Sequence, residues 1–246
     1  MFDPVVVIPV FNHPGVIGDL VQGIAAHGLP CILVDDGSDS ECAGVLDEIA
    51  SRHARQVRLI RLAHNQGKGA AVVAGLQEAS AKGHSHALQI DADGQHDWRD
   101  IPAFIDLARQ HPQAVINGRP VYDASVPRGR LYGRYATHVW VWINTLSFDI
   151  ADSMCGFRVY PLDSVRRLLE NSQLSRRMDF DSDIIVRLHW EGVEVINLPT
   201  RVIYPPGGVS HFHLWRDNLR ISRMHARHFL GMLLRLPRLL RRKVVM

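Results

Sequence analysis

Ala87-Leu88-Gln89-Ile90-Asp91-Ala92-Asp93-Gly94-Gln95-His96-Asp97 reads as a short apolar strand that runs into two aspartates and a polar turn. Strand side chains point alternately to opposite faces, and open α/β sheets bind ligands beyond the carboxyl ends of their strands. Asp91 and Asp93 at such an end can ligate a divalent cation bridging phosphate oxygens. The same residues also suit a solvated turn in which Asp97 caps the next helix.

Outward from this stretch, strand-like runs alternate with helical patterns. The runs 4–10, 31–34, 57–62, 87–90 and 114–117 are separated by helical spacing near 15–27, 41–53, 68–82 and 100–110. Such repetition predicts βαβ units, a mostly parallel central sheet and helices on both faces. A helix over 131–146 follows, whose Trp140 and Trp142 are expected to pack. Then come a strand at 157–160, helices at 163–170 and 181–191, and a strand at 193–204. Pro205-Pro206-Gly207-Gly208 breaks the chain before a long basic helix. The expected organisation is one domain, 1–214, with halves at about 1–119 and 120–214, and a helical extension over 215–246.

With 246 residues, 46% hydrophobic and 22% charged, the chain is long enough for one large core and is not a disordered composition. Cys31, Cys42 and Cys155 form no ligand-spaced pair, and an odd number argues against a disulfide framework. Together with an N-terminus that reads as a first strand and not a signal peptide, this predicts a cytoplasmic protein. No apolar run approaches the ~18 residues of a membrane span. The net charge of +3 is unevenly spread: from Arg216 onward nine Lys/Arg face one acid, Asp217, which leaves the preceding residues at −5. Phe229, Leu233, Leu236 and Leu240 line one side of this basic tail, an amphipathic pattern suited to anionic headgroups, to packing on the body or to packing on a second subunit. The peripheral, cytoplasmic face of a membrane is the expected location. The tail's arginines lack the interleaved aromatics of a nucleic-acid groove, so nucleic acid is not an expected partner.

A second acidic strand end, Asp35-Asp36-Gly37-Ser38, follows the run at Cys31. Two adjacent acids repel unless something cationic or protic meets them. Ser38 or Asp39 alone suffices to cap the next helix. Asn65-Gln66-Gly67-Lys68-Gly69 is a glycine-rich turn opening a helix, a place for an anion or a simple loop-to-helix junction. It is not a phosphate-binding P-loop, because Gly69 stands where Ser or Thr is needed.

Taken in order, Ile8-Pro9-Val10-Phe11-Asn12, Val34-Asp35-Asp36-Gly37-Ser38, Asn65-Gln66-Gly67-Lys68-Gly69-Ala70 and Asp91-Ala92-Asp93-Gly94-Gln95-His96 resemble the donor half of family 2 glycosyltransferases of the GT-A fold. Asp152-Ser153-Met154-Cys155-Gly156-Phe157-Arg158 adds a resemblance to the dolichyl-phosphate mannosyltransferase-like branch. The resemblance spans about residues 4 to 221. It implies an inverting transferase that moves a sugar from a UDP- or GDP-sugar to a lipid-linked or membrane-proximal acceptor such as a polyprenyl phosphate.

The resemblance also implies roles. Pro9, Phe11, Asn12, Asp35, Asp36, Lys68, Asp91 and Ala92 would meet the donor nucleotide. Asp93, Gln95 and His211, with His213 behind it, would hold Mg²⁺ or Mn²⁺ on the diphosphate, where a metal stabilises the leaving group. Arg119, Arg130, Arg134 and Arg158 would contact an acceptor or its phosphate. Asp181 or Asp183, with Asp152 near the reaction, would be the catalytic acids, although an anionic acceptor needs no base. The rivals are a non-catalytic nucleotide-binding or membrane-scaffolding protein and a sugar nucleotidyltransferase. The latter favours a Gly-rich basic loop after the first strand, which Asn12-His13-Pro14 is not.

Overall fold

The computed structural model describes residues 1–122, 126, 128–203 and 213–245, with backbone alone for 128–131 and 243–245. Its sheet comprises β1 (Pro4–Val10), β2 (Cys31–Asp35), β3 (Val57–Arg61), β4 (His86–Gln89), β5 (Val115–Tyr122), β6 (Arg158–Pro161) and β7 (Val195–Val202). The strand order is β3-β2-β1-β4-β6-β5-β7. β6 runs antiparallel to both neighbours and every other pair is parallel. The helices are α1 (Pro14–Ala26), α2 (Ser40–Arg52), α3 (Lys68–Ala81), α4 (Ile101–Gln110), α5 (Arg128–Thr145), α6 (Leu162–Asn171), α7 (Phe180–Glu191) and α8 (Leu214–Val245).

The alternation of β1 divides the core. Val6, Ile8 and Val10 pack with α1, α2 and α4 on one face of the sheet, while Val5 and Val7 pack with α3, α6 and α7 on the other. Each such aliphatic side chain contributes about 1.5–3 kcal/mol by leaving water, and this two-sided burial explains why the strands read as nearly continuous apolar runs. A third cluster, with Val141, Ile185, Trp190, Met232 and Leu239, joins α5, α7 and α8.

The chain lays β2 and β3 on one side of β1 and then returns to place β4 on the other. Parallel pairing aligns Val10 with Asp35 and Val7 with Gln89. The carboxyl ends of β1, β2 and β4 therefore meet at one edge, at the reversal of strand order where α/β sheets bind ligands.

Three local expectations differ. β5 continues past Asn117 to Tyr122, because pairing with β7 carries it through Gly118-Arg119-Pro120, a triplet with turn chemistry. Trp140 is 46% exposed, since α5 turns Thr137, His138 and Val141 inward instead. In α8 the core side is Ile221, Met224, His225, His228, Met232 and Leu239, so Phe229, Leu233 and Leu240 of the predicted stripe stay on the outside and Leu236 is partly buried. Among the described residues no helix is long and apolar enough to cross a membrane.

Candidate active site

The glycine-rich turn before α3 is held by Asp36. Its Oδ1 accepts the Gln66 N–H at 2.7 Å and its Oδ2 accepts the Gly67 N–H at 2.9 Å. Asp36 is free for this because Asp39 caps α2, accepting the Cys42 N–H at 2.9 Å. Burial pushes the Asp36 carboxyl above its ordinary range, against the pull of those two N–H groups and the Arg177 charge. Gly67, at φ +102°, admits no side chain, since a Cβ would lie 2.5 Å from the Arg176 carbonyl oxygen. The loop carrying Arg176 thus closes over the turn, and Arg177 Nη1 donates to Asn65 Oδ1 at 2.8 Å.

Lys68, at the start of α3, donates to Asp91 Oδ2 and to Asp181 Oδ2, each at 2.7 Å. Burial disfavours its charge, but the two carboxylates outweigh that and raise its pKa above the ordinary lysine value. Burial likewise opposes ionisation of Asp91, which Lys68 and His96 reverse, holding its carboxyl below the usual range. Asp91 Oδ1 is buried and has no hydrogen-bond partner. Gly156 makes room for this carboxylate, because a Cβ there would lie 2.1 Å from Asp91 Oδ2. Among the described residues, Asp93 accepts only the Gln95 N–H of its own turn, at 3.0 Å.

A cavity of about 400 Å³ opens at this edge. Its walls include Pro9, Phe11, Asp36, Lys68, Asp91, Ala92, Asp93 and Gln95, eight of the ten sequence candidates from three strand ends and the glycine-rich turn. His13, Asn65, Arg177, Met178, His213, Asp217 and Arg220 also line it. Asp217 and Arg220 come from α8, the segment read as an extension. Asp217 accepts the His213 N–H and the Arg220 guanidinium, at 2.8 and 2.7 Å, and so fixes the first turns of that helix against the cavity. These contributors lie far apart in the chain, and Arg176-Arg177 just before α7 was the one signal that could have drawn attention.

The remaining candidates among the described residues lie outside the cavity walls. Asp35 binds the Ser38 N–H and Arg61 Nε, both at 2.8 Å. Asn12 supports the same turn, accepting the Asp39 N–H at 2.9 Å. Asp181 is 4% exposed and its second oxygen accepts from Gln89 at 2.9 Å. Asp183 accepts the Ser175 N–H, Arg187 Nε and His228 Nε2 at 2.6–2.7 Å, tying α7 to α8. Asp152 is paired with Arg134 and lies 3.2 Å from His138 Nε2, which pins α5. Arg158, expected at a phosphate, is instead fully buried, bonded to Asn117 at 2.8 Å and to the Asp181 carbonyl at 2.9 Å. A guanidinium with five donors can satisfy itself inside a core only by such a network. Arg119 is exposed on β5. His211 and the side chain of Arg130 lie outside the described residues.

The model for glycosyl transferase family 2 matches residues 5–166, which include all three strand ends and the glycine-rich turn. The chain belongs to this family. It is a glycosyltransferase with the GT-A fold. Among relatives, the polyprenol monophosphomannose synthase of Mycolicibacterium smegmatis is 26% identical over 211 residues, spanning 83% of this chain and 79% of that protein. A dolichyl-phosphate beta-glucosyltransferase of Dictyostelium discoideum is 26% identical over 202 residues, 73% of this chain and 60% of that one. The solved mannosyltransferase PcManGT from Pyrobaculum calidifontis, in complex with GDP-Man and Mn²⁺, superposes with a TM-score of 0.59 at 15% identity, covering 96% of this chain and 64% of that one.

Among the described residues no three His, Cys, Asp or Glu side chains are grouped to hold a metal ion. The donors present are the unpartnered Asp91 Oδ1, the Asp93 carboxylate and Gln95 on the same cavity. Such a hard-oxygen set fits a cation like Mg²⁺ that takes most of its ligands from phosphate and water.

Proposed function

We propose that this glycosyltransferase moves a sugar from a UDP- or GDP-sugar to a lipid-linked or membrane-proximal phosphate, of the polyprenyl phosphate type, at the cytoplasmic face of a membrane. The observation that carries this reading is the state of the two candidate bases. Asp181 is locked between Lys68 and Gln89, and Asp183 among Ser175, Arg187 and His228. A sugar hydroxyl must lose a proton as it attacks, which calls for a free carboxylate. A phosphate is already anionic and needs none.

In the donor cavity, Lys68, Arg177 and Arg220 surround the place of the diphosphate with positive charge, which favours a leaving group that gains charge. Asp36 and the glycine-rich turn hold the nucleotide end. Asp93, Asp91 and Gln95 would hold Mg²⁺ or Mn²⁺, which when bound neutralises the diphosphate. The acceptor oxygen bonds to the anomeric carbon as the bond from that carbon to the diphosphate breaks, and the electron pair leaves with the nucleotide, inverting the centre. Arg119, exposed, is assigned to the acceptor phosphate. Arg134 and Arg158, being internally paired, position the walls.

The relatives named for polyprenol and dolichyl phosphate products support the acceptor class. The test is transfer of labelled sugar from a panel of UDP- and GDP-sugars to a short polyprenyl phosphate with Mn²⁺ or Mg²⁺, using Asp93→Ala as control. Metal-dependent product that disappears in the variant supports the reading, and no product with any donor in the panel rejects it.

A further inference from the structure

Helix α8 has two working faces. One packs on the body through Ile221, Met224, Met232 and Leu239. At about 100° per residue, Trp215, Leu219, Leu230, Leu233 and Leu240 fall in one sector on the other side, 47% to 86% exposed. Arg216, Arg223, Arg227 and Arg241 border that sector in the same projection.

Near the helix C-terminus a second hollow, of about 500 Å³, is walled by Pro237, Arg238, Arg241 and Arg242. Arg242 is fastened by donating to the His189 carbonyl oxygen at 2.8 Å, while Arg238 is 4.0 Å from Glu191. Three guanidinium groups around one hollow repel each other, and that repulsion falls when an anion enters. The guanidinium fork also matches phosphate oxygens. Apolar residues as exposed as Leu234, at 83%, lie one turn before it.

We infer that the outer face of α8 docks on an anionic bilayer, and that the hollow of Arg238, Arg241 and Arg242 takes the phosphate of an acidic phospholipid headgroup, a ligand separate from the acceptor. The inference rests on the membrane-proximal reading above and names the contact that achieves it. Leucines entering the acyl boundary and arginines meeting headgroups is the division of labour of an interfacial helix.

The test is co-sedimentation of the full chain with phosphatidylcholine vesicles, with and without phosphatidylglycerol. Binding is expected only with phosphatidylglycerol, weakened about five-fold for each arginine removed in Arg238→Gln and Arg241→Gln, and lost in Leu233→Ser/Leu234→Ser. Circular dichroism establishes that each variant is folded. The inference is overturned by no binding to phosphatidylglycerol vesicles, by binding indifferent to both arginines, or by a dimer in sedimentation that buries the leucines. Loss of the arginine effect when inorganic phosphate is present at low concentration would assign the hollow to a free anion, and also overturns it. Sugar transfer to a detergent-dispersed acceptor, measured alongside, separates the two readings: transfer without vesicle binding rejects this inference alone.

Discussion

Lys68 Nζ donates to Asp181 Oδ2 at 2.7 Å although the two residues are 113 apart in the chain. The same ammonium holds Asp91, so one half-buried cation fastens the donor-side strand end to the first turn of α7. Replacing it by Met leaves two carboxylates without their countercharge. Breaking a buried pair from one side costs roughly 3–5 kcal/mol. Lys68→Met is therefore expected to lower unfolding free energy by about that amount in urea titrations at neutral pH. An unchanged midpoint would mean that the ammonium is not the fastener.

Gly156→Ala places a methyl group where Asp91 now lies, 2.1 Å from Oδ2. The carboxylate must move, which costs about 1–3 kcal/mol of stability as overpacking and displaces a donor-site ligand. Donor affinity, measured by calorimetry with nucleotide sugar, is expected to fall along with stability. Retained affinity would show that Asp91 is not needed in its present position.

Among the described residues, Asp93 differs from Asp91 in being bonded only within its own turn. Asp93→Asn is expected to leave the melting temperature within about 2 °C while reducing transfer by about 100-fold or more, the scale of lost metal stabilisation. A parallel drop in melting temperature would mark Asp93 as structural.

His225 sits at the α5–α8 seam, buried beside His228 and Asn144. Burial, with repulsion from His228, holds its imidazole down at about 4. The unfolded chain, titrating near about 6.5, then binds more protons between those values, so stability is complete above the unfolded value and declines as pH falls toward 4. The predicted loss is on the order of 3 kcal/mol. His225→Gln is expected to flatten the dependence of stability on pH in that window. Asp183, held well below the usual carboxylate range by burial overcome by His228 and Arg187, adds a loss that begins only below the unfolded aspartate value, about 3.9. A slope unaltered in His225→Gln would assign the window to another group.

The sheet was legible because Val5 to Ile8 and Cys31 to Val34 are short, apolar and followed by helical spacing. The full reach of β5 was not, since Gly118 and Pro120 carry turn chemistry that the long pairing with β7 overrides. Asp36, Asp91 and Asp93 were legible as strand-end residues and Lys68 as the opening of a helix after a glycine-rich turn, features that local sequence encodes. Whether a charged residue faces a ligand or is paired inside the core depends on partners distant in sequence. That is why the internal pairing of Asp183 and Arg158, and the place of Arg177 and Arg220 on the cavity wall, could not be read locally. Arg158 stands between Phe157 and Val159 in a short strand, so its side chain had to enter the opposite layer of the core. Of the stripe expected on α8, Leu233 and Leu240 lie on the outer face while Leu236 packs on the body, and the stripe that does face the body was hidden by its histidines, His225 and His228.

Transfer that proceeds without a free carboxylate base is the centre of this account, and acceptor choice tests it most directly. Labelled sugar should pass from the preferred nucleotide sugar to a polyprenyl phosphate and not to the polyprenol of the same chain length. Equal transfer to the alcohol, under the same conditions and enzyme concentration, would contradict it.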